Sequence, residues 1–145
     1  LFEIIQPNKA YFGKKDYQQL LLIKYLADKF FDSRIEIAAC ETVRERNGLA
    51  MSSRNNQLSH KQKDLASLAY KELCHLKLLM NNNISIFFNS RDKLIKKLAD
   101  NNIKTEYLEI LSRNNLSRPI KDTEQYNIFI AFYVNNIRLI DNLEI

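Results

Sequence analysis

The chain has 145 residues, 46% hydrophobic and 27% charged, with a net charge of +5 and a pI near 9.2. That balance excludes a disordered chain and suffices for one ordinary core, or for one small domain plus part of another. Apolar runs such as Leu20-Leu21-Leu22-Ile23 are far too short to span a bilayer, and Lys and Arg are spread along the chain, matching no nucleic-acid-binding motif.

Leu1-Phe2-Glu3-Ile4-Ile5-Gln6-Pro7 reads as the final turns of a helix stopped by Pro7, its beginning missing. No signal-peptide pattern opens the chain. Ala10-Tyr11-Phe12 is a strand candidate running into Gly13. Asp16 then caps a helix over 17–31, with Gln19 completing a capping-box pattern. That helix is apolar on more than one face, as expected between packed layers. Ile35-Glu36-Ile37-Ala38-Ala39-Cys40 is a second strand, mostly apolar and expected to be central. Strand, turn, helix, strand predicts a βαβ unit with a parallel sheet.

After Asn55 the character changes. Ser59 and Gln62 form a second capping box and open a helix to about Met80, with Leu65, Leu68, Ala69, Leu73, Leu76 and Met80 at helical spacing. Asn81-Asn82-Asn83 breaks it. A helix over 85–100 places Ile84, Phe87, Phe88, Leu94, Ile95 and Leu98 on one face. Strands follow over 104–111, 126–134 and 137–141, the last two joined by the hairpin turn Asn135-Asn136. The fold class expected is α/β. Residues 1–55 read as a βαβ half-domain with a parallel sheet, and 56–145 as a small α+β domain with an antiparallel sheet.

The chain has two glycines, Gly13 and Gly48, each in a segment rich in basic and polar groups. Glycine permits positive φ and close backbone approach, so both mark special turns. Gly13-Lys14-Lys15-Asp16 joins a strand's carboxyl end to a helix amino end, where an open α/β sheet binds anions. It reads equally as a surface loop with two solvated lysines, and Gln19 as either a cap or a ligand contact. Asn47-Gly48 predicts a tight reversal before Met51-Ser52-Ser53-Arg54. Two hydroxyls, backbone N–H groups and a guanidinium can surround a phosphate. Ser59 already caps the next helix, so Ser52 and Ser53 are not needed for that.

His60 and His75 stand in no catalytic or metal-binding constellation. Cys40 and Cys74 are not spaced as metal ligands and read as small buried hydrophobes in a reduced, cytoplasmic protein.

The stretch from Gln6-Pro7 through Phe12-Gly13-Lys14-Lys15-Asp16-Tyr17-Gln18-Gln19 resembles the F-G-x-K-D-x-Q-Q signature of the pantothenate synthetase family, also called pantoate-beta-alanine ligase. Arg44 through Asn55, with Leu58-Ser59, resembles its R-x-x-[DN]-G-L-A-x-S-S-R-N-x-x-L-[ST] signature. Arg138-Leu139-Ile140-Asp141-Asn142 resembles its usual carboxyl-terminal strand. The likeness runs from one end of the chain to the other.

The resemblance implies that residues 1–55 are the end of a Rossmann-like nucleotidyltransferase parallel sheet. It also implies ATP-dependent condensation of pantoate with β-alanine through a pantoyl-adenylate, releasing AMP and pyrophosphate and using Mg2+. It places Gly13, Lys14, Lys15 and Asp16 along ATP, with Lys15 at the α-phosphate, Gln19 on pantoate and Val43 beside adenine. Met51, Ser52, Ser53 and Arg54 would close over the phosphates, and Lys15, Ser52, Ser53 and Arg54 are the catalytic candidates. The family's usual glutamate is replaced by Lys14. Its amino-terminal half, which carries a paired-histidine nucleotide motif, is not in this chain. The implied partners are therefore the small-molecule substrates and that amino-terminal half, in a homodimer when complete, with neither nucleic acid nor membrane. The alternative is a non-enzymatic nucleotide-binding remnant or a split-gene subunit. The isolated chain is expected to be inactive.

Overall fold

The computed structural model describes residues 1–32, 34–81, 83–118 and 125–145. They form two compact units, Leu1–Thr42 and Val43–Ile145. The sequence suggested a boundary near Asn55. The division falls earlier because 43–55 is bound into the second unit: Arg44 bridges Ala50, and the buried Asn55 side chain donates to Glu45 and to the Ala50 carbonyl. No helix among the described residues is long and apolar enough to cross a membrane.

The first unit is a βαβ unit. A short helix α1 (Phe2–Ile5) ends at Gln6 in the left-handed region, just before Pro7. Strand β1 (Lys9–Gly13) leads through a 3-10 turn (Lys14–Asp16) into α2 (Tyr17–Phe31), which returns the chain to β2 (Glu36–Cys40). The two strands pair in parallel from Lys9 opposite Glu36 to Gly13 opposite Cys40. Lys9 and Glu36 also form an ion pair of 2.7 Å across that first rung. Helix α2 buries Tyr17, Leu20 and Ala27, while Phe2 stands edge-on to Phe12 and Phe31.

Three local expectations fail here. Asp16 makes no side-chain cap to α2, because the preceding 3-10 turn has already bent the backbone into the helix, so no capping box forms with Gln19. Strand β2 has β1 as its one neighbour among the described residues rather than lying centrally, and Cys40 is exposed rather than buried.

The second unit opens with the 43–55 segment and a 3-10 helix (Ser53–Gln57). Helix α3 (His60–Met80) starts at the predicted capping box, with Ser59 and Gln62 each accepting the other's backbone N–H. It ends at Asn81 with φ 39°; Asn82 of the predicted break lies outside the described residues. Asn83 then caps α4 (Ile84–Asp100). Strands β3 (Ile103–Ser112), β4 (Tyr126–Val134) and β5 (Ile137–Glu144) form an antiparallel sheet in that order. Asn135 takes φ 53° in the β4–β5 turn, as asparagine allows.

Helical spacing on α3 and α4 and the largely buried central strand β4 converge on one core. Leu73, Met80, Phe87, Leu98, Leu108, Ile128, Ile130 and Phe132 all lie within it. Each such burial contributes roughly 1.5–3 kcal/mol. Phe88, expected on the apolar face of α4, is exposed instead: one position past Phe87, it turns about 100° away along a 3.6-residue helix.

Candidate functional site

In the first unit, the candidate residues collect at the carboxyl end of the parallel strands. Gly13 is the last residue of β1, and Lys14, Lys15 and Asp16 form the turn into α2. Gly13 has φ −72° and ψ 138°, ordinary extended backbone, so the turn does not require glycine for positive φ. A Cβ built there would meet nothing within 4 Å. The space above Gly13 is open.

Lys14 is not simply a solvated cation. Its Nζ donates to the Glu41 carboxylate just beyond the end of β2. Asp16 is exposed. Gln19, one turn into α2, is also exposed, and with the capping box absent its amide has no hydrogen-bond partner among the described residues. The cap reading of Gln19 is therefore removed. A cavity of about 490 Å³ lies at the other end of the strands, lined by Phe2, Pro7, Phe31 and Ile35. It includes none of these candidates.

In the second unit, Arg44 to Ala50 is a tight reversal. Glu45 N–H donates to the Leu49 carbonyl, Gly48 N–H to the Glu45 carbonyl, and Leu49 N–H to the Asn47 side chain. Gly48 has φ 98°, and an added Cβ would stand 3.1 Å from Tyr70 Cδ1. This turn needs glycine for both backbone and space. Val43 and Met51 lie side by side, joined by a 2.9 Å bond from Met51 N–H to the Val43 carbonyl. Both side chains are mostly exposed, at 67% and 56%.

Ser52 is the amino-terminal cap of the 3-10 helix: its Oγ accepts from Arg54 N–H at 3.3 Å and its carbonyl from Asn55 N–H at 3.0 Å. The expectation that Ser52 has no capping task is thus corrected. Two short helices start in succession here, and each takes its own serine. Ser53 and Arg54 are exposed, and no hydrogen bond or ion pair engages the Arg54 guanidinium among the described residues.

The residues holding this loop were not singled out from sequence. The Arg44 guanidinium forms a bidentate pair with Asp141 at 2.6 and 3.0 Å, donates to the Gly48 carbonyl, and lies 3.5 Å over the Tyr70 ring. Burial opposes its charge, but the hydrogen bonds and negative charge of Asp141 outweigh that, and its pKa stands above the ordinary arginine value. Tyr70 is raised by its hydrogen bond to Cys74 and by burial, against the pull of Arg44. On the other side of the loop, Glu45 accepts from Asn55 Nδ2 at 2.7 Å and Lys63 Nζ at 3.3 Å. Arg44 and Asp141 both fall in recognisable motif segments, but a contact spanning 97 positions leaves no local signal.

His60 and His75 are both exposed. Among the described residues no group of three His, Cys, Asp or Glu side chains could hold a metal ion.

The family model described as pantoate-beta-alanine ligase matches residues 1–144. A pantothenate synthetase of Vesicomyosocius okutanii is 40% identical, covering 99% of this chain and 50% of the relative. The bifunctional pantoate ligase/cytidylate kinase of Trichodesmium erythraeum is 39% identical, over 99% of this chain and 28% of its own. A crystal structure of pantothenate synthetase from Thermus thermophilus superposes with a TM-score of 0.87 at 30% identity, covering 99% of this chain and 51% of that one. The Francisella tularensis ligase, solved with beta-gamma ATP and beta-alanine, gives 0.70 at 31% identity, over 99% of this chain and 46% of that one. The chain spans about half the length of most of the curated relatives it matches.

Proposed function

As the chain belongs to the pantoate-beta-alanine ligase family, we propose that it supplies the carboxyl-terminal half of a site that joins pantoate to β-alanine at the expense of ATP. A pantoate carboxylate oxygen attacks the α-phosphorus of ATP, and the bond to the bridging oxygen breaks to release pyrophosphate. The β-alanine amine then attacks the pantoyl carbonyl, and AMP leaves. Such displacements depend on positioning and on charge stabilisation more than on covalent work by the protein.

The observation carrying this reading is the segment 51–54. It is fixed at both ends, while Ser53 and the unengaged Arg54 guanidinium face solvent. Arg54, Ser52 and Ser53 hold the leaving pyrophosphate, Arg54 by its bidentate fork. Lys15 neutralises charge growing on the α-phosphate. The open backbone at Gly13 lets the nucleotide approach closely, with Lys14 and Asp16 beside it, and the Gln19 amide is free to hold pantoate. Val43 and Met51 offer apolar surface to the adenine side. Magnesium would come with ATP as part of the substrate and would supply charge neutralisation at the phosphates, and Asp16, whose carboxylate is exposed, is the residue that would stand beside it.

The remaining walls come from an amino-terminal half. In support, the two-stranded parallel sheet of the first unit is unlike parallel sheets in general, which are broader and covered on both faces. Leu1, Ile4, Tyr11, Leu22, Tyr25 and Phe30 of the same unit are exposed. The complete enzyme is a cytoplasmic homodimer in this reading.

ATP–pyrophosphate exchange dependent on pantoate tests it. The chain alone is expected to show none. Mixed with an amino-terminal half taken from a relative, it is expected to gain exchange, and Arg54→Ala to lower that rate by about two orders of magnitude. Clear exchange by the chain alone would remove the half-site reading, and an undiminished Arg54→Ala rate would remove the role of the loop.

A further inference from the structure

Segment 51–54 is held by groups that belong to distant parts of the second unit. At one end, Ala50 bridges Arg44, whose guanidinium is gripped by Asp141 of β5 and lies on Tyr70 of α3. At the other, Asn55 is 2% exposed and donates to Glu45 and to the Ala50 carbonyl. The Asp141 side chain is only 5% exposed and also accepts from Asn142 N–H at 2.8 Å. The Tyr70 ring serves twice, as the platform under Arg44 and as the wall that limits position 48.

We propose that Arg44, Tyr70 and Asp141 are positioning residues for the phosphate-contacting loop: together they fix the height and direction at which residues 51–54 leave the second unit. The inference rests on the reading of that loop given above. An arginine held bidentately has its planar fork oriented, and stacking on an aromatic ring fixes the remaining tilt. Lysine could keep the charge but neither constraint. A loop already ordered in this way loses less backbone entropy when a ligand settles on it, so its affinity does not depend on ordering during binding.

The chain contains two methionines, and they separate the loop from the fold. Met51 is exposed in the loop, whereas Met80 is wholly buried in the core. With 13C-methyl methionine, NMR of the 145-residue chain gives one reporter for each. Asp141→Asn and Tyr70→Leu are expected to move the Met51 signal to the position of an unfolded-chain methionine while Met80 stays in place. Tyr70→Phe, which keeps the stacking ring, preserves both signals. An unmoved Met51 signal in Asp141→Asn with Met80 in place overturns the proposal. Where Asp141→Asn displaces Met80 as well, the tyrosine pair decides: identical Met51 signals in Tyr70→Leu and Tyr70→Phe overturn it.

Titration with ATP separates this inference from the functional reading. If ATP leaves Met51 unmoved when the unsubstituted chain is combined with an amino-terminal half taken from a relative, the phosphate reading fails, while the ligand-free comparison of the chain alone still decides whether the clamp positions the loop. With binding present, Asp141→Asn raises the apparent Kd about tenfold, as expected when the competent loop population falls to a tenth. An unchanged Kd overturns the proposal.

Discussion

The two glycines look alike in the sequence and differ in the structure. Gly48 sits at φ 98° with the Tyr70 ring against it, whereas Gly13 lies in ordinary extended backbone with open space where a Cβ would go. Substitution should therefore separate them. Gly48→Ala forces an L-residue into the left-handed region, costing about 1–2 kcal/mol before any displacement of Tyr70. Gly13→Ala leaves stability within about 0.5 kcal/mol, and under the proposed function it weakens nucleotide binding by filling the open space there. Urea denaturation of both variants beside an ATP titration checks this. Equal stability losses at the two positions would remove the distinction.

At the scale of elements, capping and register explain where local reading succeeded. The Ser59–Gln62 box fixes the start of α3 because both partners lie within four residues and nothing else competes for them. The similar pattern at Asp16 and Gln19 fails because a 3-10 turn occupies the residues just before α2. In the antiparallel sheet, the register shifts between Thr105 and Tyr107, leaving Glu106 as the extra residue of a bulge on β3. Bulges re-aim side chains, and this one directs the Glu106 carboxylate to Arg138 of β5, at 2.8 and 3.0 Å.

The hydrogen bond from Arg138 lowers the Glu106 pKa below its usual value, while Arg138 is raised. A depressed carboxylate pKa gives stability that is present above the unfolded value, about 4.3 for glutamate, and lost as pH falls through the folded one. The raised arginine contributes at every pH below its unfolded value, so the acid side belongs to Glu106 alone. Thermal melts of Glu106→Gln should fall less steeply between about pH 6 and pH 3 than those of the unsubstituted chain. Parallel curves would show that the pair is screened by solvent.

On the scale of the molecule, the two units differ in how much core they own. Among the described residues, the buried hydrophobics of the first unit are Tyr17, Leu20, Ala27 and Ile35, whereas the second has a continuous core through α3, α4 and the sheet. A unit of about 40 residues is at the lower limit for independent folding. Amide exchange should be fast across β1 and α2 and slow in α3 and β4, with the first unit losing structure before the second on heating. Protection of equal size in both units would show that they unfold together.

Sequence by itself determined what depends on neighbours along the chain: the helices, the Ser59 cap, the Asn135-Asn136 turn, and the family through its motif spacing. Periodicity and capping act within a few residues, so they are written locally. Only the tertiary structure decided that Gly13 needs no special backbone, that Gln19 is not a cap, and that Ser52 is one. It also decided that residues 43–55 belong to the second unit, because the contacts that hold them come from Lys63, Tyr70 and Asp141. Those partners meet only when the chain has folded, and no spacing records a meeting between Arg44 and a residue on the final strand.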